Sequence, residues 1–153
     1  MSTIGFSATI QVMITVKIKK LDPELKDTAY AKHMDAGFDL FARERTVVAP
    51  GARTAVPTGI AMEIPEGHVG LIWDKSGLSI KHGIKTLGGV IDAGYRGEVM
   101  VGLTNLGDTE YIFEKGDKVA QIIYQKFEHA NLEFVDELTE SERGDTGFGS
   151  SGK

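Results

Sequence analysis

Apolar residues recur at every second position along several short stretches of the chain, a period that predicts strands with one buried face. From Ile10 the even positions Ile10, Val12, Ile14, Val16 and Ile18 are apolar, with Gln11, Thr15, Lys17 and Lys19 between them. Leu21 to His33 is polar and predicts a loop. It leads into Ala36-Gly37-Phe38-Asp39-Leu40-Phe41, where Asp39 stands among apolar neighbours and must be hydrogen-bonded or face a site. Thr46 to Val48, Thr54 to Val56, and Ile60, Met62 and Ile64 predict short strands. Pro50-Gly51, Pro57 and Pro65 with Gly67 separate them, because proline belongs at edges and turns. Val69, Leu71 and Trp73 alternate again, which places Trp73 in the core.

Asp74 to His82 is the one stretch that reads as a short helix, with Ser76 as its N-cap. Lys75 beside that cap, with Gly77 allowing close approach, is a phosphate-binding arrangement by local physics, and a plain capped turn is the alternative. Next comes Gly88-Gly89-Val90-Ile91-Asp92-Ala93-Gly94-Tyr95-Arg96-Gly97-Glu98, followed by Val99, Val101 and Leu103 at period two. This stretch predicts a hairpin turning at Ala93-Gly94, with φ > 0 at glycine and Asp92 set opposite Tyr95. Backbone groups near the glycines are open to a flat polar ligand, beside which Asp92 and Tyr95 can work; an ordinary solvated turn is the alternative. Tyr111 to Phe113 and Val119 to Gln125 predict two more strands around a Gly116-Asp117 turn, and Gln121 interrupts the second with an amide that needs partners in the core or in a ligand.

With 153 residues, 41% of them hydrophobic, and 19 glycines, the chain has the makings of one turn-rich, all-β domain with a real core. The absence of cysteine excludes disulfides, thiol nucleophiles and the His/Cys/Cys zinc centre of nucleobase deaminases. The four histidines, His33, His68, His82 and His129, show no metal-ligand spacing. A net charge of -5 argues against a general nucleic-acid binder, so any anionic ligand must meet locally concentrated cations. No signal-like segment and no apolar run near 18 residues occurs, so neither membrane insertion nor secretion is expected and a cytoplasmic location is. Residues 143–153, Arg143 to Lys153, are too glycine-rich to pack alone. Their formal fits to dinucleotide and Walker patterns lack the strand and helix those patterns need. They offer the Arg143 cation and the Phe148 ring on an arm able to close over a ligand with phosphate and base.

Five segments in order, covering about 36 to 152, resemble the motifs of the trimeric dUTP pyrophosphatases (dUTPases). They are Ala36-Gly37-Phe38-Asp39-Leu40; Lys75-Ser76-Gly77-Leu78; Gly89 to Glu98; Gly116-Asp117-Lys118-Val119-Ala120-Gln121; and Arg143 to Gly152. The resemblance implies an all-β jelly-roll fold of the β-clip type with one short helix, in a homotrimer whose subunits share each site. Residues 1–9 would be an N-terminal extension, 10–142 the β domain, and 143–153 an arm closing over a nucleotide. It implies hydrolysis of dUTP to dUMP and pyrophosphate with Mg²⁺, which supplies dUMP for thymidylate synthesis and keeps uracil out of DNA. Carried over by motif, Asp92 would activate the water that attacks the α-phosphorus, and Asp39 would support the metal-triphosphate side. Lys75, Ser76, Gln121 and Arg143 would bind phosphates, with Gly77 and Gly149 beside them. Gly89, Val90 and Ile91 would read uracil, Tyr95 would lie under the sugar, Phe148 would stack on the base, and Arg96 would be a structural or phosphate-side cation. Mg²⁺ would be held by phosphates and water, without a direct protein ligand. Two departures stand out: Lys75, preceded by Asp74, replaces the usual Arg and loses the bidentate fork, and Ala93-Gly94 replaces a commonly more acidic or polar turn. A dCTP deaminase of the same fold and a non-catalytic, nucleotide-responsive trimer are the rival readings.

Overall fold

The computed structural model describes residues 13–142 together with 144 and 145. Three antiparallel sheets enclose the core. The first has the order β1 (Lys17–Lys20), β4 (Arg53–Glu63), β8 (Glu98–Asn105), β6 (Ile84–Leu87). The second runs β2 (Gly37–Phe41), β10 (Lys118–Lys126), β5 (His68–Trp73), β7 (Val90–Ile91), and the third pairs β3 (Thr46–Val48) with β9 (Tyr111–Phe113). The only helix among the described residues is α1 (Ser76–His82). Alternation in β8 puts Val99, Val101 and Leu103 at 0% exposure against Leu40, Val56, Phe113 and Ile122, as period two requires. Burying these side chains drives the layers together at roughly 1.5–3 kcal/mol each.

Four expectations are corrected. Of the strand expected from Ile10, residues 10–12 lie outside the described residues, and of 13–20 only Lys17–Lys20 form a strand, with Ile18 exposed. Pro57 does not end a strand, because β4 runs through it as a bulge where pairing jumps from Pro57↔Met100 to Ala61↔Glu98. Proline cannot donate to the ladder, and side chains replace the lost bonds: Thr58 Oγ1 donates to Val99 O (2.6 Å) and Glu98 Oε1 accepts the Gly59 N–H (2.7 Å).

Trp73 is 55% exposed rather than in the core. In β5 the inward positions are Gly70 and Ile72, and a Cβ at Gly70 would lie 3.0 Å from both Ile122 and Ile64. A glycine on the inner face disguises the phase of the alternation. Finally, the segment around Asp92 is a turn but not a hairpin. The Tyr95 N–H does donate to Asp92 O (3.0 Å), yet Val90–Ile91 pair with Gly70 and Leu71 of β5, while β8 belongs to the other sheet. The turn therefore crosses between layers, and Gly94 is not among the glycines with positive φ.

Candidate active site

The two long strands of the second sheet bring Asp39 and Gln121 into direct register, and β5 ends beside them with Trp73 opposite Gln121. The chain then leaves β5 through Asp74 and Lys75 into α1. Lys75 itself is the N-cap, in an extended conformation with no side-chain cap, so Ser76 is the first helical residue rather than the cap. The Lys75 side chain reaches back to pair with Asp39 Oδ1, while Lys118 Nζ takes Oδ2 at 2.7 Å. These groups, with Trp73, Asp74 and Gln121, line a cavity of about 500 Å³. Ser76 and Gly77 follow Lys75 directly but do not line it.

Burial opposes ionisation of Asp39, but hydrogen bonds from Lys118 and Lys75 outweigh it and hold the carboxyl below the usual carboxylate range. Lys75 and Lys118 bring two ammonium groups to a cavity that Asp35, Asp39 and Asp74 also line, and Lys85 pairs with Asp74 from outside it. An entering phosphate meets those two ammonium groups in a chain whose net charge is -5. Because the native pKa of Asp39 is depressed, its pairing contributes stability above the unfolded value and loses it as pH falls through the native one. Asp39→Asn is thus expected to unfold more readily than the parent chain at pH 7, with the gap closing as pH falls below the usual carboxylate range. Urea midpoints across that range check it.

Asp92, Val90, Ile91 and Tyr95 line a separate cavity of about 200 Å³ together with Met100. Asp92 is exposed, and the ion pairs among the described residues do not use its carboxylate. Tyr95 folds back so that its hydroxyl donates to Glu98 O at 2.9 Å. Arg96 Nη1 clasps the same turn through Ala93 O (2.6 Å) and Tyr95 O (2.9 Å), a structural bond rather than a contact in the phosphate cavity. Gly89 lies at φ 107, where a Cβ would meet Ile72 O at 2.9 Å. Its own carbonyl accepts the Ile72 N–H at 2.8 Å, so one of its acceptor positions is already spent on β5. The residues expected at the site thus fall into two groups whose cavities share no lining residue. Arg143, Phe148 and Gly149 lie outside the described residues, as do residues 1–9.

The residue pattern assigns no role to Lys118 or Glu98, and it marks Asp74 only as the residue before Lys75. Lys118 follows the Gly116-Asp117 turn and opens β10, which was the available signal. Nothing local marks Glu98, whose carboxylate joins Arg43 (3.2 Å) to the Gly59 amide behind the turn. No three His, Asp or Glu residues converge as a metal site among the described residues, and Asp39 and Asp74 are both engaged by lysines. Asp35, Asp39 and Asp74, which line the phosphate cavity, are hard oxygen donors of the kind Mg²⁺ takes.

A lysine pair and an amide facing one polar cavity, with a carboxylate and a phenol at another, define a β-sheet protein suited to a ligand bearing both phosphate and a polar ring. The family model for dUTPase matches residues 24–152. Over 142 residues the chain is 44% identical to the deoxyuridine 5'-triphosphate nucleotidohydrolase of Thermobifida fusca, covering 91% of this chain and 79% of that one. The dUTPase of Staphylococcus bacteriophage 80alpha, solved with dUPNHPP, superposes with a TM-score of 0.85 at 31% identity, covering 92% of this chain and all of that one. An Asp-to-Asn variant of the phage phi11 dUTPase, described for its coordination of a structural Mg(II) ion, gives 0.74 at 27% identity over 81% of this chain and 98% of that one. The chain belongs to the dUTPase family, hydrolases that act on deoxyuridine 5'-triphosphate.

Proposed function

We propose that the chain cleaves dUTP to dUMP and pyrophosphate at sites shared between copies of a homotrimer, with Asp92 as the base. The observation that carries this reading is the division of the site residues between two cavities with no common lining residue. A single nucleotide can use both when the phosphate cavity of one copy faces the Asp92 turn of another. The outer face of the first sheet offers a surface for such contact. Ala55 and Pro57 of β4 lie opposite Gly102 and Met100 of β8, and Leu87 of β6 stands beside Gly102. Met100 and Leu87 are each 40% exposed, and the small residues between them permit close approach.

In this arrangement Lys75, Lys118 and Gln121 hold the phosphate chain, joined by Arg143 from the arm, with Ser76 and Gly77 at the start of α1 beside them. Asp39 keeps both lysines in place until the triphosphate takes over their charge. Asp92 orients a water and accepts its proton as the oxygen attacks the α-phosphorus, and the bond to the bridging oxygen breaks to release pyrophosphate. Mg²⁺ carried on the triphosphate would supply charge neutralisation at the phosphate oxygens. Main-chain groups at Val90 and Ile91 read uracil. Cytosine reverses that donor and acceptor pattern and strands buried polar groups at roughly 1–3 kcal/mol each, while thymine adds a methyl that overpacks a close backbone. Phe148 and Gly149 cover the base from the arm.

Tyr95 beneath the sugar leaves no room for a 2'-hydroxyl, and Gly97 makes its position possible. A Cβ at residue 97 would lie 2.6 Å from Tyr95 Cζ. Gly97→Ala therefore displaces the ring, and discrimination between dUTP and UTP, read as the ratio of kcat/KM, is expected to fall about tenfold. The test of the reading as a whole is pyrophosphate release by the purified chain from dUTP, dCTP, dTTP and UTP with Mg²⁺. Release from dUTP alone is expected, and equal or faster release from another nucleotide would overturn it.

A further inference from the structure

We infer that Asp74 is a positioning residue for the phosphate cavity, acting through Gln121. The Asp74 carboxylate is gripped from β6 by three donors. Oδ1 accepts the Thr86 N–H (2.7 Å) and the Thr86 hydroxyl (2.6 Å), and Oδ2 accepts Lys85 Nζ (2.6 Å). This side chain belongs to the linker between β5 and α1, and it ties that linker to the edge strand of the other sheet. The carbonyl of the same residue accepts Gln121 Nε2 at 2.9 Å. One residue therefore anchors its side chain in one sheet and orients an amide of the other.

The consequence is chemical. A free Gln amide can present either its oxygen or its nitrogen to a ligand. Only the nitrogen suits a phosphate. The fixed Asp74 carbonyl selects the nitrogen, and with one N–H committed to it the second remains for the cavity. Lys75 follows Asp74 directly, so the same anchor fixes where its backbone begins. Burial works against ionisation of Asp74, yet Lys85 and the two Thr86 donors overcome it and keep the carboxyl charged far below neutrality. The anchor is therefore intact wherever dUTP is hydrolysed at ordinary pH.

This role rests on Gln121 binding phosphate, and a double-mutant cycle separates the two claims. Asp74→Ala is expected to raise KM for dUTP about tenfold, the loss of one aimed charge-assisted hydrogen bond, with kcat nearly unchanged. In a Gln121→Ala background the same change is expected to cost less than about twofold. Asp74→Asn keeps an acceptor for the Thr86 N–H and is expected to restore most of the affinity. Binding is read independently by titrating dUPNHPP against the fluorescence of Trp73, the single tryptophan, which lines the cavity. Gln121→Ala with KM unchanged would overturn the site assignment and this role with it. Gln121→Ala raising KM while Asp74→Ala costs the same in both backgrounds would overturn this role alone, because a purely structural residue gives additive losses.

Discussion

Replacing Asp92 by asparagine is expected to lower kcat for dUTP on the order of 10²- to 10⁴-fold, the usual worth of a positioned general base, with affinity for dUPNHPP close to that of the parent chain. The substitution is isosteric. The bond that closes the turn runs from the Tyr95 N–H to the main-chain oxygen of Asp92, and Arg96 holds Ala93 O and Tyr95 O; none of these uses the carboxylate. Trp73 lies in the phosphate cavity rather than beside Asp92, so its fluorescence reports binding without depending on the altered group. An amide can still hold a water but cannot take its proton at neutral pH, so catalysis falls while binding stays. A loss of less than tenfold in kcat would remove Asp92 from the role of base. An equal loss of affinity and rate would make it a binding group instead.

Legibility along this chain depended on whether one residue or two strands carried the information. The core strand β8 was legible because an inward β-branched or large residue occurs at every second position, and β10 because its apolar run is nearly continuous. The phase of β5 was not, because Gly70 occupies an inward place and leaves Val69, Leu71 and Trp73 as the only visible alternation. The helix cap was misplaced by one residue for a related reason. Ser76 has the right side chain for a cap, but Lys75 holds the extended conformation at the N-cap while its side chain pairs with Asp39. Motif order was enough to name Asp39, Lys75 and Gln121. It could not show that Asp39 is clamped from both sides, since Lys118 is 79 positions from it in the chain and meets it only through β2–β10 pairing. Nor could it show that Asp92 and Lys75 line different cavities. In the proposed trimer both facts serve one reaction, and assembly leaves a weaker trace in sequence than catalysis does.

Asn105→Ala is expected to have the largest effect on stability, about 2–3 kcal/mol, from the loss of three hydrogen bonds, of which the one to the Val48 carbonyl is fully buried. Asn105 is 0% exposed at the end of β8, a position that period two assigns to an apolar residue. Its Nδ2 donates to Val48 O (2.9 Å) and Thr109 O (2.8 Å), and its Oδ1 accepts the Gly107 N–H (2.9 Å). One amide thus fastens β3, the 106–109 loop and the end of β8. Truncation removes three bonds and leaves two carbonyls and an N–H behind, and urea denaturation measures the cost. Asn105→Asp discriminates this account from simple loss of volume. The carboxylate keeps the acceptor for Gly107 but faces two carbonyl oxygens, which favours its protonated form and raises its native pKa. A raised native pKa gives relative stability below the unfolded value, about pH 4, that is lost as pH rises. Asn105→Asp is therefore expected to sit nearer the parent chain at pH 4 than at pH 7, whereas the deficit of Asn105→Ala stays constant over that interval. Identical pH profiles for the two variants would mean that the amide fills space rather than satisfying three backbone groups.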